Sequence, residues 1–253
     1  MNNIKVVVFD IGGTLMEYKN MPLSWLDFYK DSFCYVRKEF TLNITDEDID
    51  KSFEVLKNYN PRINPREVDC TPEVIFGEAT AHWQGEFDLA NVINKFYESM
   101  KLTAYIYPET LDFLDKLKAE GYIIAALTDV AIGMPDELHK SYFPELLPYF
   151  DKYVSSISCG YRKPNPKGLS DIAEKFDIDA YEMIMIGDEE KDIKTAKRFG
   201  CKSVLIDRRE RNADFGQDYT ITDLNGFWEV NANNLSKLPP KNQIAYFGQK
   251  TFL

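Results

Sequence analysis

Four short clusters of chemically capable residues each follow an apolar run. Asp10 closes Val6-Val7-Val8-Phe9 and leads into Ile11-Gly12-Gly13-Thr14. Thr128-Asp129 closes the run Tyr122 to Leu127. Gly160-Tyr161-Arg162-Lys163-Pro164 follows Tyr153 to Ile157, and Gly187-Asp188-Glu189-Glu190-Lys191-Asp192 follows Met183 to Ile186. Together they supply carboxylates, a hydroxyl, an ammonium and glycine backbone. From such groups a nucleophile, an oxygen-lined cation site and donors to an anion can be built. Singly, each has a plainer explanation: Asp10 a turn former, Thr128 a strand end, Lys163 a solvated charge, Asp188 a helix cap, Asp192 an exposed helical charge. Four in order at four successive strand ends are harder to dismiss.

The elements that must position them alternate. The runs at Ile4–Phe9, 122–127, 153–157, 183–186 and Ser203–Ile206 are β-branched and lack polar alternation, as strands buried on both faces do. Each is separated from the next by room for a helix. That rhythm predicts an α/β fold, a Rossmann-like three-layer parallel sheet, which gathers ligands at the carboxyl ends of its strands. Residues from Met16 to Ala104 break the rhythm. They show no convincing strand and at least four helical stretches: Ser24–Phe40, Asp46–Tyr59 (opened by Thr45 and Asp48), Pro72–Trp83 and Leu89–Met100. A helix from Pro108 to Glu120, closed by Gly121, leads back to the sheet. The expected division is a core of 1–15 and 105–230, a helical insertion of 16–104, and an extension of 231–253 with no assigned role.

Composition excludes several classes. Lys and Arg number 30 against 41 Asp and Glu, a net charge of −11 that argues against binding nucleic-acid phosphates or anionic membranes. No apolar stretch approaches the ~20 residues that span a bilayer. Four cysteines without a C-x-x-C pair, and only two histidines, leave a structural zinc site poorly supplied and suit a reducing cytoplasm. The aromatics Trp25, Phe28, Tyr29 and Phe33 share a helical face, as core residues do, although a dimer seam would use the same face; monomer and homodimer both stand.

The segments VVVFDIGGTL, ALTD, GYRKPNP and IGDEEKD resemble the four motifs of the haloacid dehalogenase-like hydrolase superfamily, and the helical insertion resembles the cap of its type I members. The resemblance covers residues 4 to 222. It implies hydrolysis of a small phosphorylated metabolite through an aspartyl-phosphate on Asp10. By the same resemblance Thr128 and Lys163 assist catalysis, and Thr128, Asp129, Lys163 and Gly12 surround the phosphate. Mg²⁺ is implied at Asp10, Asp188 and the Gly12 carbonyl, with Asp192 binding through water or orienting Lys163. Charge counting agrees, since Asp10, Asp188 and Asp192 meet a phosphate dianion with only Lys163 in compensation.

One position departs from the pattern. Phosphatases of this family carry a second aspartate two residues after the nucleophile, where this chain has Gly12. The carboxyl that would protonate the leaving group is therefore missing, and general acid–base help is worth roughly 10²–10⁴ in rate. A good leaving group would reduce the loss, or Glu17, Tyr18 or His82 would substitute. The competing reading is a phosphate-binding regulator that no longer turns its ligand over. Dehalogenation is disfavoured, because its pattern places an aromatic residue at position 12 and does without magnesium.

Overall fold

The computed structural model describes residues 4–19, 21–22 and 24–235. Six strands form one parallel sheet: β1 (Val6–Phe9), β4 (Ile123–Thr128), β5 (Lys152–Ser155), β6 (Met183–Gly187), β7 (Lys202–Ile206) and β8 (Tyr219–Ile221), in the order β5-β4-β1-β6-β7-β8. β1 lies at the centre, with Phe9 in register with Ala126 on one side and Ile186 on the other. Successive side chains of a strand face opposite ways. Val7 and Phe9 accordingly join one apolar core, while Val6 and Val8 join another on the opposite face. Helices cover both faces, which is why the strand reads as continuously apolar.

Between β5 and β6 lie a short helical turn, α7 (Ser156–Cys159), and α8 (Lys167–Phe176). α9 (Glu190–Phe199) links β6 to β7, and α10 (Gly226–Leu235) follows β8. α5 (Thr110–Ala119) enters β4, and Gly121 at φ +84° makes the turn between them, as the sequence suggests. α6 (Asp136–Ser141) occupies the β4–β5 connection.

Four helices lie in the expected insertion: α1 (Leu26–Glu39), α2 (Asp46–Asn58), α3 (Pro72–Thr80) and α4 (Leu89–Glu98). Thr45 and Asp48 form the reciprocal cap at the start of α2. Tyr29, Phe33, Ile75, Phe76 and Phe96 build a separate core, joined by Val130, Ile132 and Met134 from the loop after β4. The helices are therefore packed onto the loop that follows Thr128 and Asp129. Trp25 and Phe28 pack against the same core.

The interval is not purely helical. β2 (Met16–Lys19) pairs antiparallel with β3 (Thr103–Ile106), Met16 opposite Ile106 and Lys19 opposite Thr103. The reading of 16–104 as strandless is thus corrected at both ends: the four helices emerge from between two paired strands. β8 was also absent from the sequence reading. Of the extension, 231–235 complete α10, and 236–253 lie outside the described residues. No helix among the described residues is long and apolar enough to cross a membrane.

Candidate active site

Asp10 sits one residue beyond β1, its amide donating to the Ile186 carbonyl at 2.9 Å. The sheet thus fixes the backbone that carries the carboxylate. Lys163 arrives from the loop between α7 and α8. Its Nζ lies 2.6 Å from Asp10 Oδ1, 2.5 Å from Asp192 Oδ1 and 3.3 Å from the Leu127 carbonyl. An ammonium has three protons, and here each has an acceptor. Lys163 and Asp192 are fully buried, and Asp10 is nearly so.

Asp192 is fixed at both oxygens. It stands in the first turn of α9, where Oδ2 accepts the Glu189 amide at 2.9 Å while Oδ1 accepts from Lys163. Asp188, just after β6, differs: no donor among the described residues reaches its carboxylate. Gly13 brings the backbone of the opening loop against it. A Cβ on Gly13 would fall 2.4 Å from Asp188 Oδ2, and Gly13 also has φ +80°, so glycine is required there on two counts. Gly12 is different again, exposed and with no atom within 4 Å of where a Cβ would be.

Electrostatics follow from this packing. Burial pushes the Asp10 carboxyl up to about 6, with the Lys163 ammonium pulling against the rise and Asp192 adding to it. Asp188 is pushed up to about 8 by burial and by the charges of Asp10, Asp192 and Glu189. Burial alone would weaken the Lys163 ammonium, but Asp10, Asp192 and Asp129 outweigh it and hold the proton on. Asp10, Asp188 and Asp192 each offer an oxygen within 4.8 Å of the others. An all-carboxylate set that repels itself and leaves Asp188 without a donor fits a hard divalent cation. Because Asp192 is committed at both oxygens, Asp10 and Asp188 are the side chains left to meet one directly.

Thr128 ends β4, buried, its hydroxyl without a partner among the described residues. Asp129 is committed elsewhere: Oδ1 accepts the Lys163 amide at 3.0 Å, and Oδ2 lies 3.3 Å from Lys191 Nζ. The structure therefore brings Asp10, Thr128, Lys163, Asp188 and Asp192 to neighbouring strand ends, with Gly12 in the opening turn and Asp129 bracing the Lys163 loop. Of the three substitutes considered for the absent carboxyl, Glu17 accepts from the Tyr107 hydroxyl at 3.2 Å. Tyr18 is largely buried, packed edge-on against Trp25 and Tyr142. The His82 ring meets the Asp48 carbonyl at 2.9 Å, within the helical segment.

Sequence reasoning passed over several residues around these. Lys191 bridges Asp129 and Glu189, and Glu189 in turn meets Arg62 at 3.0 Å. Arg211 donates to the Asp188 carbonyl, and Arg208 to that of Thr14. Arg162 is buried and pairs with Asp69. Lys191 lies in the IGDEEKD segment and Arg162 in GYRKPNP, so adjacency to Asp192 and Lys163 is the available signal. Nothing local marks Asp69.

The chain resembles known proteins in sequence and in fold. Phosphoglycolate phosphatase of Vibrio cholerae is 26% identical over 244 residues, covering 91% of this chain and 98% of that protein. The Aliivibrio fischeri protein of that name is 24% identical, covering 81% and 84%. Among solved structures, a HAD phosphatase from Thermococcus onnurineus superposes with a TM-score of 0.61 at 18% identity, covering 90% of this chain and 97% of that one. A 2-haloacid dehalogenase from Pseudomonas syringae gives 0.62 at 18%, covering 91% and 99%; at such identities the likeness concerns the fold. The family model of the haloacid dehalogenase-like hydrolases matches residues 4–200, and the chain belongs to that family.

Proposed function

We propose that the protein is a Mg²⁺-dependent phosphohydrolase of a small phosphorylated metabolite, working through an aspartyl-phosphate on Asp10. The observation that carries the reading is the Asp10–Lys163–Asp192 ion cluster, with Asp188 and Thr128 at the adjoining strand ends. The names of the phosphoglycolate phosphatase relatives support a small phosphorylated substrate. The free thiols suit a reducing cytoplasm.

The Asp10 carboxylate attacks phosphorus, the P–O bond to the leaving group breaks, and water then cleaves the acyl phosphate to return the carboxylate. Lys163 keeps Asp10 ionised and aimed, and brings a fixed positive charge to the incoming phosphate. Thr128 donates its free hydroxyl to a phosphoryl oxygen. Asp10, Asp188 and the Gly12 carbonyl would hold Mg²⁺, with Asp192 acting through Lys163. Bound there, the ion supplies neutralising charge for the phosphoryl oxygens. We assign residues 16–104 the role of a cap that excludes water.

With no carboxyl at position 12, the departing oxygen receives no proton from that position, so good leaving groups are favoured. The decisive experiment is phosphate release from an activated aryl phosphate, with and without Mg²⁺, using Asp10→Asn as control. Turnover requiring both supports the reading. Binding of phosphorylated ligands without turnover, across activated and metabolite esters, would replace it by a phosphate-binding regulator.

A further inference from the structure

The loop between α2 and α3 is stitched to the loop that carries Lys163. The Asp69 amide donates to the Gly160 carbonyl at 2.9 Å, and the Arg162 amide donates to the Glu67 carbonyl at 2.8 Å. Val68 and Tyr161 form an antiparallel bridge between these contacts. Side chains reinforce the seam: Arg198 reaches Glu67 at 2.6 Å, and Asn165 Nδ2 reaches the same carboxylate at 3.3 Å.

At its centre is a buried ion pair. Arg162 Nη1 stands 2.7 Å from Asp69 Oδ2, with the Arg162 side chain 7% exposed and Asp69 2%. Arg162 Nη2 donates to the Val130 carbonyl at 3.0 Å. Asp69 Oδ1 accepts the Cys70 amide at 2.9 Å and has Arg66 at 3.2 Å. A single guanidinium thus joins three loops: the one from the helical segment, the one following Thr128-Asp129, and its own, in which Lys163 is the next residue. Its planar fork suits this task as an ammonium would not. Opening the seam would leave Asp69 and Arg162 to be rehydrated or stranded, and stranding a buried charge is costly.

We propose that Asp69 is a positioning residue: through Arg162 it makes docking of the 67–69 loop a condition for placing Lys163 against Asp10. The helical segment then governs the competence of the site as well as covering it. This rests on the phosphohydrolase reading for its consequence in rate, but the coupling itself is measurable without turnover.

The test uses Asp69→Asn, nearly isosteric, and Arg162→Lys, which keeps the charge but loses the fork. Hydrogen–deuterium exchange is followed in peptides spanning 66–71 and 159–165, with 183–187 as the internal control, alongside kcat and KM for an activated aryl phosphate. In both variants we expect exchange in 159–165 to rise about tenfold while 183–187 is unchanged. We expect kcat to fall about tenfold with KM within about twofold, the split of a misplaced catalytic group. A general loss of packing would instead raise exchange in 183–187 as well, and would overturn the proposal. So would folded variants whose 159–165 exchange matches the parent. If the parent releases phosphate from no ester, the hydrolase reading fails while the exchange result still decides the coupling.

Discussion

Asp192 Oδ1 lies 2.5 Å from Lys163 Nζ while Asp192 Oδ2 receives the Glu189 amide, so the lysine is held by a carboxylate that is itself held by the start of α9. Two anions therefore share one buried cation. Removing that cation leaves both uncompensated, and breaking a buried pair costs about 3–5 kcal/mol when one charge is stranded. Lys163→Met should lose at least about 100-fold in kcat and unfold at clearly lower denaturant concentration. Asp192→Asn keeps an acceptor for Lys163 and should lose less on both counts. Denaturant titration and steady-state kinetics on the two variants check this ordering; equal effects would show that Asp192 does more than hold the lysine.

Gly12 and Gly13 are neighbours with opposite tolerances. A Cβ at Gly12 meets nothing within 4 Å, so Gly12→Asp should fold as the parent does. It restores the missing carboxyl, and hydrolysis of alkyl phosphates should rise by up to about 10²–10⁴, with little gain for an activated aryl phosphate. Gly13→Ala drives a methyl onto the Asp188 carboxylate and strains φ, and should lose activity with either ester. The comparison of leaving groups in the two variants is the measurement. An equal gain on both substrates at Gly12→Asp would mean that protonation is not what the position lacks.

The site was more legible than its supports. Asp10, Thr128, Lys163, Asp188 and Asp192 each follow an apolar run, and a parallel sheet brings such positions together whatever the loop lengths. The Thr45–Asp48 cap is local and equally readable. β2 and β3 are four residues each and become strands only by pairing across four intervening helices. Local periodicity carries no record of such a partner. Arg162 and Asp69 are 93 residues apart, and the buried pair they form has no sequence signature.

Burial, and then the charges of Asp10, Asp192 and Glu189, push the Asp188 carboxyl up to about 8. A cation bound there must displace the proton that the carboxyl carries below that value. Between pH 6 and 8 the apparent affinity for Mg²⁺ should therefore strengthen about tenfold per pH unit, then level off above pH 8. The metal-free protein should show the reverse trend: a carboxyl whose folded pKa is raised withdraws stability as pH climbs from its unfolded value to about 8. Thermal shift with and without Mg²⁺ across this range reads both trends. A metal-induced shift that is flat from pH 6 to 8 would remove Asp188 from the cation site.

His139 provides a pH effect of its own, outside the Asp10–Asp188–Asp192 carboxylate cluster. Burial drives its imidazole down to about 4, helped by the nearby Lys140 charge, and the ring is fixed by the Tyr153 hydroxyl at 2.8 Å and Phe143 edge-on at 4.9 Å. An unfolded histidine titrates near ~6.5. Its folded value is depressed, so its stability contribution is complete above pH ~6.5 and is lost as pH falls toward about 4, because the unfolded chain takes the proton first. From those two values the loss on going from pH 7 to 5 is about 2 kcal/mol. Denaturant unfolding of the parent and His139→Gln at both pH values isolates this contribution from that of the carboxylates, since only the difference between the proteins belongs to His139. The variant should start less stable at pH 7 and change by about 2 kcal/mol less on acidification; parallel changes in the two proteins would show that the ring is not buried in its neutral form.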